Sequence, residues 1–209
     1  MPAGDRVIVI EKSLQLLVEG QSAKVFMMAL LRHLNIESIQ VHDFGGVNDL
    51  ARFLKAFKAV SGFQQTVMAM GIIRDAERAN ANSARQSILS ALKSASLPLP
   101  DESGLPRILV YILPDNQSPG MLETLCWQSV QADPAIPCVN QFMDCLSGKA
   151  SLSANPDKAR LQAFLSSRPK FVAQLGEAAH KGYWPWDDPA FSGIKRFLIE
   201  LELGGKQPL

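Results

Sequence analysis

Acidic side chains follow four predicted strands of this sequence, at the point where each strand ends. Glu19 follows the first strand and Asp43 ends the second, Asp75 and Glu77 follow the third, and Asp115 follows the fourth. Because parallel strands joined by right-handed crossovers end at one edge of a sheet, these carboxylates should converge. Converging carboxylates repel one another unless a cation lies between them. Mg²⁺ or Mn²⁺ is the expected cation, bound by carboxylate, water and phosphate oxygens.

The alternative is that these acids are ordinary loop residues. Loops are polar, and the first turn of a helix favours anions. A single acid at a strand end therefore carries no information. Two strands, however, end in acidic motifs at matching positions: Glu-Gly follows one and Asp-x-Glu follows the other. With both motifs present, a metal site and ordinary loop residues are equally good interpretations.

The elements that must position these acids alternate between strand and helix four times. Short Val- and Ile-rich runs without polar alternation indicate strands buried on both faces. Residues 7–10 are β-prone and form a candidate extra edge strand, and Ser22 is the expected cap of the first helix. The pattern predicts a three-layer α/β/α fold with a four-stranded, mostly parallel, Rossmann-like sheet. The strands are expected at residues 14–18, 38–43, 65–73 and 107–113, and the helices at residues 22–34, at 48–60, from 82 or 83, and from 120.

The chain from residue 133 onward carries helical signals and no strand pattern. Asn155-Pro156 is a helix start with proline at the first helical position. Tyr183, Trp184 and Trp186 predict an aromatic anchor for this segment, because large rings gain most from burial. We therefore expect an α/β domain at residues 14–132 and a helical extension at 133–209 packed on it as one compact unit. Its helices are expected near residues 142–146, 157–165, 171–180 and 189–202.

Composition narrows the classes of function. The net charge is +1 and the pI about 7.7, so a nucleic-acid surface, if present, must be local. The three cysteines have no CxxC spacing, which indicates reduced thiols. No apolar run has the length of a membrane span, and the first residues lack the plan of a signal peptide, so we expect a cytoplasmic protein without membrane contact.

The motifs around the acids resemble the Toprim domain, the fold shared by topoisomerases and primases. That family has a Glu after its first strand and Asp-x-Asp after its third. The likeness covers residues 14–130 most specifically and is nearest to small stand-alone bacterial Toprim-like proteins related to the Toprim half of OLD-family nucleases. The motifs are Val18-Glu19-Gly20, Phe44-Gly45-Gly46, Arg74-Asp75-Ala76-Glu77, Leu113-Pro114-Asp115-Asn116, Gly120-Met121-Leu122-Glu123 and Gly182-Tyr183-Trp184.

The resemblance implies Mg²⁺-dependent cleavage or transfer of phosphodiester bonds in nucleic acid. By that analogy Glu19 is a metal ligand and general acid or base, and Asp75 a metal ligand. Glu77 takes the place of the family's second Asp, with one methylene more. Asp115 would join the metal site, and the resemblance makes it, with Glu123, a candidate for a second metal.

Basic groups and backbone donors near this edge are candidates for phosphate contacts. Lys24 lies in the first predicted helix, and Gly45-Gly46 precedes the second, where exposed N–H groups can hold an anion. A plain tight turn is the competing interpretation of the two glycines. Arg74 and Arg78 flank the acidic pair, so they either contact phosphate or form salt bridges to it. Asp43 is a further candidate for the second ligand shell or second metal.

Two other classes of function stay open at this point. One is a non-catalytic Toprim-like partner subunit of a DNA-repair or phage-defence complex, which the neutral charge and the Asp-to-Glu change favour. The other is a hydrolase of small phosphate esters. A topoisomerase is disfavoured, because Tyr111 lies inside a strand and Tyr183 is the remaining tyrosine. The sequence has no GxxxxGK[ST] motif, so ATP hydrolysis through a P-loop is not expected.

Overall fold

A four-stranded sheet is the centre of the protein. The computed structural model describes residues 8–78, 80–149 and 155–204. All four strands run parallel in the order β2-β1-β3-β4, which confirms the predicted α/β fold class. The strands are β1 (Leu14–Val18), β2 (Ile39–Asp43), β3 (Ala69–Asp75) and β4 (Arg107–Leu113).

Nine α-helices occur among the described residues, and they cover both faces of the sheet. They are α1 (Gly20–His33), α2 (Leu50–Lys58), α3 (Phe63–Thr66), α4 (Ala81–Ser94), α5 (Leu122–Ser129), α6 (Ile136–Leu146), α7 (Pro156–Ser166), α8 (Leu175–His180) and α9 (Ser192–Gly204). The first face, called face A, packs against α1, α5 and α9. The second, face B, packs against α2, α3 and α4.

The strand order creates a switch point between β1 and β3. After β1 the chain crosses through α1 on face A to β2, whereas after β3 it crosses through α4 on face B to β4 on the opposite side. The two helices therefore diverge, and they leave a crevice beyond the carboxyl ends of β1 and β3. Open α/β sheets bind their ligands at such a crevice.

Side chains of each strand alternate between the two faces. Leu16 and Val18 of β1 lie on face A and Leu17 on face B, because successive Cβ atoms of a strand point to opposite sides. In β3, Ile73 lies on face A and Ile72 on face B. This alternation later decides which acids of the carboxyl edge can approach one another.

The helical segment after residue 133 shares the core of face A. Phe197 and Leu201 of α9 lie directly against β3, where a Cβ atom on Gly71 would come within 3.0 Å of Phe197 Cζ and 2.9 Å of Leu201 Cδ2. A side chain at position 71 would thus hold α9 away from the sheet. The α/β domain and its extension are joined by one continuous core rather than by a linker.

The aromatic anchor predicted for the extension is confirmed. Trp184 is 2% exposed, and its indole N–H donates to the carbonyl of Leu175 at 3.1 Å. Phe26 of α1 packs edge-on against Trp186, with ring centroids 5.2 Å apart, and lies 6.2 Å from Phe191. These rings join the extension to the first crossover helix, which begins at the switch point.

Several boundaries differ from the sequence predictions. The first helix begins at Gly20 rather than at Ser22, whose Oγ instead accepts a long hydrogen bond from Gly176 N–H at 3.5 Å. The predicted strand at residues 65–73 is divided, because its first residues form the short helix α3 and β3 continues to Asp75. Asp75 is therefore the last residue of the strand and not a loop residue.

The predicted extra strand at residues 7–10 is not present where the chain is described, from residue 8 onward; Val7 lies outside the described residues. Ile8 and Ile10 instead pack against face B, and the Gln40 side chain hydrogen-bonds Val9. Within the described ranges no helix has the length and apolarity needed to cross a bilayer.

Candidate functional site

The candidate site lies at the switch point, where Glu19 follows β1 and Asp75 ends β3. Glu19 occupies the N-cap position of α1, and Gly20 follows with φ +84°, which favours glycine because it has no Cβ atom. The N–H of Gly20 donates to Asp43 Oδ1 at 2.9 Å, so β2 fixes the turn between β1 and α1. The strand end and the helix start thus hold the Glu19 carboxylate at the mouth of the crevice.

The Glu19 carboxylate is half-buried and incompletely paired. Its Oε2 atom is enclosed and has no hydrogen-bond partner, whereas the Val47 backbone N–H donates to the carboxylate. Burial raises the pKa of Glu19, the positive charge of Arg74 opposes that rise, and the charges of Glu77 and Asp43 add to it. A buried acceptor without a partner is costly, so this oxygen is expected to receive a ligand.

Arg74 lies beside Glu19 on the same side of the sheet. It follows Ile72 at the strand spacing of two and therefore belongs to face B. Its side chain is 8% exposed, and its Nε and Nη1 atoms are enclosed without hydrogen-bond partners. A buried guanidinium with open donors is rare, because removing an unpaired charge from water costs several kcal/mol.

Asp75 lies on the other side of the same edge. Its Oδ1 accepts a hydrogen bond from the backbone N–H of Leu122, the first residue of α5, at 3.0 Å. Burial raises the pKa of Asp75 to about 7, and the negative charges of Glu19, Glu123 and Glu77 add to this effect against the hydrogen bond. Near neutral pH the Asp75 carboxyl group is therefore present in both its charged and its neutral form. A bound cation would favour the charged form.

Glu77 is held by its backbone rather than by its side chain. Its N–H and C=O form paired hydrogen bonds with Gly120 at 2.7 and 2.8 Å, and its φ of 55° is in the left-handed region. The side chain is exposed, in the mouth of the crevice, where its charge acts on both Glu19 and Asp75. The third acid of the motif is thus positioned near the other two, at the surface.

Asp43, Gly45 and Gly46 form hydrogen bonds that fix the backbone turns of the site. Asp43 Oδ1 accepts from the N–H groups of Gly20 and of Gly45, at 2.9 and 2.8 Å, while the N–H of Gly46 donates to Asp49 at 3.0 Å. The backbone donors predicted to hold phosphate are therefore already paired with carboxylates. The tight-turn interpretation of Gly45-Gly46 is the one that the structure supports.

Of the other two predicted members, Asp115 is hydrogen-bonded within its own turn, whereas Glu123 lies near Asp75. Both carboxylate oxygens of Asp115 accept hydrogen bonds from Gln117 and Ser118 within their own turn, which holds the pKa of Asp115 below its usual range. Glu123, on α5, acts on Asp75 through its charge and lies 3.9 Å from the ammonium group of Lys158. Asp115 and Glu123 do not form a second acidic pair.

Lys24, a candidate phosphate contact, lies near His42 of β2. Its charge, together with the larger effect of burial, lowers the pKa of His42 to about 4. The His42 ring forms a 2.7 Å hydrogen bond with Gln15 and packs on Phe57. The imidazole is therefore a neutral part of the core near neutral pH.

The donor set fits a weakly held Mg²⁺ or Mn²⁺ better than a preformed metal centre. Among residues 8–78, 80–149 and 155–204, no three His, Cys, Asp or Glu side chains are grouped closely enough to hold a metal ion. The alternation of strand side chains explains this, since Glu19 lies toward face B and Asp75 toward face A. Mg²⁺ often uses one or two carboxylates and completes its shell with water and substrate phosphates. The enclosed, unpaired Glu19 Oε2 fits that kind of binding.

The site depends on groups that the sequence pattern did not reveal. The N–H groups of Leu122 and Val47 hold the two central carboxylates, and no residue type marks a backbone donor. Two clefts lie elsewhere. One, of about 550 Å³ and bordered by Lys58 and Leu105, is at the opposite edge of the sheet, and one of about 290 Å³ borders Trp184.

This protein is of the α/β class: it has an all-parallel sheet with acidic side chains at the switch point. The helices of the C-terminal segment complete the fold. Residues 13–203 match the family described as "Protein of unknown function (DUF3226)". The chain belongs to that family.

Solved structures with the same fold include C-terminal regions of OLD proteins. The region from Burkholderia pseudomallei is 17% identical, with a TM-score of 0.50, and the match covers 94% of this chain and 100% of that one. The region from Xanthomonas campestris pv. campestris is 16% identical, with a TM-score of 0.51 and coverage of 92% and 95%. Among curated proteins no match was found. At these identities the likeness concerns the fold.

Proposed function

We propose that this protein binds a divalent metal ion at the switch point and acts on phosphodiester bonds of nucleic acid. The observation that carries the proposal is the convergence of Glu19, Asp75 and Glu77 beyond β1 and β3: the charge of Glu77 raises the pKa of Glu19, and the charges of Glu19 and Glu77 raise that of Asp75. The resemblance of these motifs to Toprim domains supports the same function. So does the fold shared with C-terminal regions of OLD proteins.

In this proposal each acid has a separate task. Glu19, incompletely paired and beside the positive charge of Arg74, accepts the proton of an attacking water at its free Oε2 atom. Asp75 and Glu77 are the metal ligands, and Glu19 contributes as a third ligand when substrate phosphate is present. A bound metal ion would stabilise the negative charge that develops on the phosphoryl oxygens.

The test compares the wild type with Glu19→Gln in Mg²⁺ and in Mn²⁺, on single- and double-stranded DNA and on RNA. Glutamine keeps the shape but cannot accept the proton, so we expect cleavage to fall by about a hundredfold or more. Glu37→Gln is the matched control, because this exposed side chain precedes β2 at the opposite edge. Circular dichroism verifies that the fold of each variant is intact. Equal activity of Glu19→Gln and the wild type would refute the assignment.

A non-catalytic partner subunit is the second candidate. The absence of a grouped metal triad in the described residues favours it, as does the neutral net charge. It predicts no cleavage of any of these substrates in either metal and copurification with a defined protein. Metal-dependent cleavage that Glu19→Gln abolishes would rule it out.

A further inference from the structure

We propose that Arg74 binds a phosphodiester group of the nucleic-acid substrate directly, without a metal ion between them. The inference rests on the proposed function, since it names the group that holds the substrate at that site. The sequence left two roles open for Arg74: phosphate contact or a salt bridge to the acids.

The geometry disfavours a completed salt bridge. Arg74 is 8% exposed, yet its Nε and Nη1 atoms have no hydrogen-bond partner, and the neighbouring Glu19 Oε2 has none either. The ion pairs formed by described residues do not include one between Arg74 and Glu19. Two opposite charges therefore lie close together with donors and an acceptor still open. A phosphate oxygen supplies the acceptor that the guanidinium lacks, and water or a metal ion supplies the partner of Glu19.

The chemistry of arginine suits this role. Its guanidinium stays charged at every relevant pH and is more weakly hydrated than an ammonium group, so it is preferred for phosphate contacts that exclude water. Hydrogen bonds between charged groups are about twice as strong as those between neutral ones. Arg74 is also fixed on a central strand, so little conformational entropy is lost when a ligand binds.

The charge balance selects the kind of phosphate. One guanidinium faces the carboxylates of Glu19 and Glu77 at the same crevice, with Asp75 partly charged. A terminal phosphate carries nearly two negative charges near neutral pH, whereas an internal phosphodiester carries one. Because repulsion grows with the charge of the ligand, the crevice favours an internal diester.

The experiment measures binding of a fluorescent single-stranded oligodeoxynucleotide by anisotropy, with EDTA present. Four proteins are compared: wild type, Arg74→Met, Glu19→Gln and the double variant. Arg107→Met is the matched control, because it removes an exposed arginine at the amino end of β4, the edge opposite the site. The double variant removes both charges, so neither is left without its opposite, and circular dichroism verifies the fold of each variant.

We expect Arg74→Met to weaken binding by about tenfold or more. Glu19→Gln should bind at least as tightly as the wild type, because it removes a repelling charge. The loss caused by Arg74→Met should persist in the Glu19→Gln background. A 5′-phosphate on the oligonucleotide, or an RNA strand of the same sequence, should leave the effect of Arg74→Met unchanged.

Three results would overturn the proposal: unchanged affinity in Arg74→Met, an equal loss in Arg107→Met, or a loss that disappears in the double variant. The last would mean that Arg74 only compensates the charge of Glu19. A gain of affinity from the 5′-phosphate that depends on Arg74 would show recognition of a terminal monoester instead. Binding through Arg74 without cleavage in Mg²⁺ or Mn²⁺ would keep this inference and refute the proposed activity.

Discussion

Replacing Asp75 by asparagine should stabilise the protein at alkaline pH and leave its stability nearly unchanged at acid pH. The pKa of Asp75 lies at about 7, against 3.8 for an unperturbed aspartate, because burial and three nearby carboxylates disfavour its charge. Between pH 3.8 and about pH 7, the folded protein therefore keeps a proton on Asp75 that the unfolded chain has already lost. Stability is greatest below pH 4 for this group and falls as the pH rises to about 7.

The magnitude follows from the size of the shift. A rise of about 3 pH units corresponds to about 4 kcal/mol of folding free energy above pH 7. Asparagine removes the charge and keeps an oxygen acceptor for the Leu122 N–H, at 3.0 Å in the wild type. The charged acceptor's advantage is already included in the pKa of about 7, so we expect Asp75→Asn to be more stable than the wild type by about 4 kcal/mol at pH 8.

Urea unfolding at a series of pH values, monitored by tryptophan fluorescence with EDTA present, measures this difference. The stability gain of Asp75→Asn should grow from near zero at pH 4 to its full value at pH 8. Asp144→Asn, which removes an exposed carboxylate of α6, is the control and should follow the wild type throughout. A difference between Asp75→Asn and the wild type that does not change with pH would refute the electrostatic reasoning.

Two further predictions concern the contact between the sheet and the extension. Gly71→Ala should lower the free energy of unfolding by about 1–3 kcal/mol, because its Cβ atom would approach Leu201 and Phe197 to 3.0 Å or less. The midpoint of urea unfolding measures this change. An unchanged midpoint would show that α9 shifts freely. Phe191→Ala, at a fully buried ring, should cost about 3–5 kcal/mol. Phe142→Ala, at a ring 53% exposed, should cost less than about 0.5 kcal/mol; similar values for the two would contradict the assigned core.

Local pattern was sufficient to predict the fold class. Apolar runs of five to seven residues separated by helical segments indicate a parallel sheet, and β4 begins and ends at the predicted residues. The start of α7 after Asn155 was predictable as well, because the Asn155 side chain accepts from Lys158 N–H and Pro156 opens the helix. Caps and proline act over three or four residues, which is the range that a sequence pattern can report.

The boundary of α1 was not predictable in the same way. Ser22 has the residue type of a cap, but the Gly20 N–H is paired with Asp43 from the next strand. A hydrogen bond across 23 residues therefore moves the helix start to Gly20 and places Glu19 at its N-cap. The division of the third predicted strand has a similar cause: residues 63–66 close a helical turn against the core of face B.

The sequence by itself determined which acids reach the carboxyl edge, because right-handed crossovers end parallel strands at one edge. The strand order that puts Glu19 and Asp75 at one switch point came from the structure. Only the tertiary structure decided how they are used. The alternation of side chains directs Glu19 and Arg74 toward face B and Asp75 toward face A, and backbone donors from distant segments hold each carboxylate. The burial of the Arg74 Nε and Nη1 atoms without hydrogen-bond partners is likewise a result of packing. A sequence shows which residues are charged, but it does not show which of them are excluded from water.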